Sequence, residues 1–184
     1  MLNTWLNSRT PVDYHGDQAG LSSVLPAAFS SSRSMKFSTR TDVDEPAAVL
    51  FDQIGNTERL EGLLVERGAS VTRMDPTRES GTALGWLIGF DWRGRRRNLR
   101  LKVTRFDRPE LIVMTGQGDS FDVEIRMSVV ALSKSRSRLI FETDVRPRNM
   151  RARLLLQTAK LAKPQLDAKF ARRVGDLLDQ LRAV

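Results

Sequence analysis

Hydrophobic and polar positions begin to alternate at Met35. Phe37, Thr39 and Thr41 alternate with Lys36, Ser38 and Arg40, which predicts a half-buried strand. Asp44, Glu45 and Pro46 then predict a helix start, because acidic residues favour the positive end of the helix dipole and proline suits the first turn. Val49, Leu50, Phe51 and Ile54 supply its apolar stripe. Gly55 and Asn56 end it, and Thr57 is positioned to cap a second short helix carrying Leu60 and Leu64.

The middle of the chain reads as a meander of antiparallel strands. Leu84, Trp86, Ile88, Phe90 and Trp92 alternate with Ala83, Gly85, Leu87, Gly89 and Asp91, so one face is large and the other mostly small or polar. Arg93 and Gly94 form a turn, after which Leu99, Leu101 and Val103 face inward opposite Arg100, Lys102 and Thr104. Leu111 to Thr115 is an apolar strand, followed by a turn at Gly116, Gln117, Gly118 and Asp119.

The last two strands invite a register. Phe121, Val123, Ile125, Met127 and Val129 form one inward set, and Leu139, Phe141, Thr143 and Val145 the other. Pairing across the Ser133 to Ser137 loop that sets Val129 against Phe141 and Ile125 against Val145 also sets Arg126 against Asp144 and Glu124 against Arg146. Opposite charges then meet outside, each pair contributing about 0.2–1 kcal/mol, whereas a slip of one residue buries them.

Arg148 to Leu181 predicts one long helix with Met150, Leu154, Leu161, Leu166, Phe170, Val174, Leu177, Leu178 and Leu181 on its apolar side. The stripe changes phase near Pro164, where a proline removes a hydrogen bond and bends the axis. Residues 1–34 lack this periodicity, and Ser30, Ser31, Ser32, Arg33 and Ser34 have the makeup of a linker. They read as a disordered extension, with Met35 standing as an alternative initiator and residues 35–184 as the folded domain.

The first strand running into Val43, Asp44, Glu45, Pro46, Ala47, Ala48, Val49, Leu50 and Phe51, then Asn56, Thr57, Glu58 and Arg59, a strand meander and a long C-terminal helix, resembles the SRPBCC superfamily. That superfamily is also described as START-like or polyketide cyclase/dehydrase-like. The resemblance covers residues 35–184 and implies an α+β helix-grip fold, in which a curved antiparallel sheet of about seven strands wraps around the C-terminal helix. It also implies a cavity between sheet and helix for a lipid, quinone or polyketide-like molecule, and some members are enzymes. The second short helix departs from the pattern, carrying leucines where many members place a tryptophan.

The residues independently suggest a cavity, because one curved sheet facing one bent helix does not readily fill its interior with side chains. Trp86, Phe90, Met114, Met127, Phe141, Met150 and Leu154 are candidate lining residues, with Thr143 and Gln157 for polar contacts. Each also suits ordinary core packing.

Composition narrows the chemistry. The 184 residues contain no cysteine, and the single histidine and single tyrosine are His15 and Tyr14, so the predicted domain works without thiol, imidazole or phenol. No phosphate-binding loop, metal-ligand cluster or serine–histidine pair is present, and nothing implies a cofactor. A cyclase or dehydratase would have only carboxylates such as Glu142 or Asp91, both alternating with inward residues and therefore outside. No run approaches a membrane span and no secretion signal opens the chain, which points to a cytoplasmic protein.

Charge is uneven. Arg93 to Arg108 and Val145 to Val184 each carry a net +7 within a total of +8. Such asymmetry attracts anionic partners: RNA or ribosome, a phospholipid surface, an acidic protein or an acidic ligand. No recognised nucleic-acid motif accompanies it, and an interaction module using this basic surface is the alternative to a ligand-binding domain.

Overall fold

The computed structural model describes residues 34–182, apart from 76, 78–80 and 93. The expected disordered extension thus lies, but for Ser34, outside the described residues. Strand β1 (Met35–Val43) leads into helices α1 (Ala47–Ile54) and α2 (Thr57–Glu66). Six strands follow: β2 (Ser70–Arg73), β3 (Gly85–Trp92), β4 (Arg95–Asp107), β5 (Leu111–Gly118), β6 (Phe121–Ala131) and β7 (Ser137–Pro147). Helices α3 (Met150–Leu161) and α4 (Lys163–Arg182) complete the chain. The seven strands form one antiparallel sheet in the order β1-β7-β6-β5-β4-β3-β2.

Several local readings are corrected. Leu50, Phe51 and Ile54 are buried on α1, but Val49 is 44% exposed. Asn56, one residue before Thr57, caps α2 by accepting from the Arg59 amide at 3.0 Å. An asparagine in extended geometry there satisfies an N–H that the helix itself cannot pair. The expected turn at Gly116 is strand, and β5 continues to Gly118.

The β6–β7 register is also different from the one that charge pairing suggests. Val129 lies opposite Leu139, Ile125 opposite Thr143 and Arg126 opposite Glu142, while Glu124 faces Asp144. The shift is two residues, so every side chain keeps its face. Two like charges can lie abreast because cations reach them from other positions. Lys36 on β1 faces Asp144 from the other side, and Arg146 sits 2.9 Å from Asp144 and 4.0 Å from Glu124.

The C-terminal region is two helices rather than one bent helix. The break falls at Ala162, and Pro164 sits in the first turn of α4, where a missing N–H leaves no helical bond unmade. Val174, Leu178 and Leu181 of α4 are buried, and Leu178 and Leu181 join a core with Leu50, Phe51 and Ile54 of α1 and the inward residues of the sheet. Near the start of α4, Phe170 packs against Phe37 and Phe141, with ring centroids 5.4 and 5.8 Å apart. Among the described residues no helix is long and apolar enough to cross a membrane.

Candidate functional site

The inward face of the sheet is divided into two parts by what covers it. At one end α1 and the last turns of α4 press on Leu84, Trp86, Ile88, Leu101, Val103, Met114, Met127, Val129 and Leu139, all buried in one cluster. At the other end the same alternating positions continue as Phe90, Leu99, Val123 and Val145, where α3 stands over the sheet. Between them lies a cavity of about 470 Å³. That volume is within the range of small-molecule sites.

Among the described residues its walls come from eight elements and one turn. Met35 and Phe37 enter from β1, Phe121 and Val123 from β6, Leu155, Leu156 and Ala159 from α3, and Leu166 from α4. Polar residues are few: Arg97 and Asn98 of β4, and Asp119 and Ser120 of the β5–β6 turn. The glycines of β5 shape this end. Gly116 lies in the inward series after Ile112 and Met114, and a Cβ there would fall 2.5 Å from Val123 Cγ2 and 3.0 Å from Leu99 Cδ1. The missing side chain lets two cavity-lining residues close over β5.

Helix α3 is fixed at its start. Asn149 accepts from the Ala152 amide at 2.9 Å, a local cap written into the sequence just after β7. Arg148 donates to the Gly118 carbonyl at 2.9 Å, and its amide reaches Ser120, joining the head of α3 to the β5–β6 turn. These bonds hold one side of the cavity to another.

Of the expected lining residues, Phe90 is in the cavity wall. Trp86, Met114 and Met127 are in the core, Trp86 being 2% exposed with its indole N–H donating to Glu61 at 2.6 Å. Phe141 is half-buried against Phe170, and Thr143 is half-buried with Phe37 and Ile125 as its cross-strand neighbours. Met150 and Leu154 are corrected to the surface at 67% and 60% exposure, and Gln157 is exposed as well. The reason is the break at Ala162: α3 turns Leu155, Leu156 and Ala159 inward, a phase that a continuous helix cannot share with α4.

Asp91 and Glu142 are exposed on the outer face of the sheet, as their alternation predicts. Among the described residues no group of three or more histidine, cysteine, aspartate or glutamate side chains is placed to hold a metal ion. Arg97 belongs to the basic stretch from Arg93 to Arg108, yet it faces Phe90 across β3–β4. The signal was its parity, since Arg97, Leu99, Leu101 and Val103 are every second residue.

No protein-family model matches the sequence, and no curated protein matches it. Solved structures do. Zhui aromatase/cyclase from Streptomyces sp. R1128 aligns with a TM-score of 0.55 at 13% identity, over 82% of this chain and 98% of that one. Norcoclaurine synthase from Thalictrum flavum, in complex with dopamine and hydroxybenzaldehyde, aligns with a TM-score of 0.57 at 13% identity, over 80% and 86%. TTHA0849 from Thermus thermophilus aligns with a TM-score of 0.58 at 12% identity, over 80% and 97%. At these identities the likeness is one of fold. The α+β helix-grip architecture read from the sequence is borne out at that level.

Proposed function

We propose that this protein binds a small, largely apolar molecule in the cavity between α3 and the β1, β3, β4, β6 and β7 strands. The observation that carries the reading is the division of the inward face. Strand positions that are close-packed under α1 and α4 enclose open space under α3, although the residues along them stay apolar. A concave space of about 470 Å³ lined by phenylalanine, leucine and valine leaves apolar surface that a ligand would cover. Burial of the ligand's apolar surface supplies the binding free energy, at about 25 cal/mol per Å² removed from water. Fold neighbours include an aromatase/cyclase and a synthase in complex with dopamine and hydroxybenzaldehyde, which supports a small-molecule site on this fold.

Native mass spectrometry of the protein isolated from its own host tests the reading. One small apolar molecule retained per chain, released on denaturation and recovered by solvent extraction, is the expected result. Chains carrying no such molecule, in a protein that also fails to take up any apolar compound offered to it, would overturn it.

A further inference from the structure

Among the described residues, the cavity wall contains one basic side chain. Arg97 stands on the inward face of β4, opposite Phe90 and two residues from Leu99. Its Nε is shielded from solvent and has no hydrogen-bond partner among the described residues. Nor does the guanidinium make an ion pair with any described residue. Three other arginines of the same stretch are engaged: Arg96 bonds Ser70 and lies 3.7 Å from Asp91, Arg105 pairs with Asp107, and Arg108 pairs with Asp52 at 2.5 Å. The one carboxylate on the cavity rim, Asp119, is exposed and forms no ion pair with Arg97.

A shielded N–H without an acceptor is unfavourable in a folded protein, and persists where it serves something else. We propose that Arg97 is the recognition group for a carboxylate on the ligand, so that the cavity takes an apolar monocarboxylic acid, tail against Phe90, Leu99 and Leu156 and head at Arg97. This rests on the reading of the cavity as a ligand site. The guanidinium offers parallel N–H donors in a planar fork that matches a carboxylate in two places at once, and its attraction to the anion is strengthened by the apolar wall around it. Ser120 lies along the same wall, and its hydroxyl can donate to the same head group.

Competition of decanoate and 1-decanol against a bound neutral apolar dye, Nile red, tests the assignment at neutral pH. The two compounds share a tail and differ in charge. Decanoate is expected to displace the dye at a concentration at least tenfold below that of decanol in the parent. Arg97→Met should abolish that preference while leaving decanol displacement within about twofold, and Arg97→Lys should restore part of it, because the charge returns without the fork. Arg100→Gln, on the outer face of the same strand, should change neither. The thermal midpoint of ligand-free Arg97→Met should equal or exceed the parent's, since the substitution removes an unpaired donor; a structural arginine would show the opposite. An unchanged decanoate preference in Arg97→Met would overturn the role of Arg97 while leaving the cavity reading standing. Failure of both compounds and of the dye to bind the parent would overturn the two together.

Discussion

Replacing Trp86 and Phe90 by alanine, one at a time, probes the boundary between core and cavity. They sit two residues apart on β3 and point to the same side of the sheet. Trp86 is 2% exposed within the core cluster, so truncation removes a fully packed ring and leaves a void, a loss of about 3–5 kcal/mol. Its bond to Glu61 adds little to that figure, because Glu61 keeps its ion pair with Arg73 at 2.7 Å. Phe90 is only half-buried and borders open space, so fewer contacts are lost, and about 1–2 kcal/mol is expected, at or below the value for burying a whole phenylalanine. The difference of about 2–3 kcal/mol corresponds to a gap of roughly 4–12 °C in Tm for a domain of this size. Urea and thermal unfolding followed by far-ultraviolet circular dichroism measure both variants, since removing Trp86 alters the fluorescence signal itself. Ligand affinity should move the other way, falling for Phe90→Ala and holding for Trp86→Ala. Equal destabilisation within about 0.5 kcal/mol would refute the division of the inward face.

Three further outcomes follow from named contacts. Gly116→Ala places a methyl group 2.5 Å from Val123 Cγ2, and urea unfolding should show a loss of about 1–3 kcal/mol from overpacking. Pro164→Ala should leave the midpoint within about 0.5 kcal/mol in the same assay, because the proline occupies a first turn and imposes no kink. The Arg138 guanidinium, donating to Asp42 at 2.6 and 2.9 Å, holds the Asp42 carboxyl below the ordinary aspartate range. Because that folded-state pKa is lowered, its contribution is complete above the ordinary aspartate value and disappears as pH falls through the lowered one. Acid titrations of the parent and Asp42→Asn should therefore diverge near neutrality and converge at the acid end; parallel curves would exclude the linkage.

How much was legible depends on what each residue's neighbours could reveal. Strands β1, β3, β6 and β7 announce themselves because one face is buried, and alternation records that directly. Strand β2 escaped notice: four residues at the sheet edge, Ser70 to Arg73, are too few to display a period. The β6–β7 register is not recorded in the hydrophobic pattern, because a two-residue slip preserves both faces. Pairing charges across two strands then misled, since Lys36 of β1 is an unseen third party to Asp144.

The site was harder to read than the fold. Alternation continues unchanged from Trp86 to Phe90, and only the placement of α1, α3 and α4 makes one position core and the next cavity wall. A single continuous helix would turn Met150 and Leu154 inward, and the break at Ala162 resets the phase. Arg97 was legible by parity but hidden by company, as one arginine among several around a turn.

Titration of a neutral apolar dye into the parent and into Ala159→Trp tests the central claim most directly. Ala159 lines the cavity from α3, so an indole placed there occupies the space itself without touching the core cluster. The parent should show saturable binding of one dye per chain, and Ala159→Trp should lose at least tenfold in affinity with its thermal midpoint held or raised. Undiminished dye binding in a folded Ala159→Trp, or no saturable binding in the parent, would contradict a ligand cavity at this place.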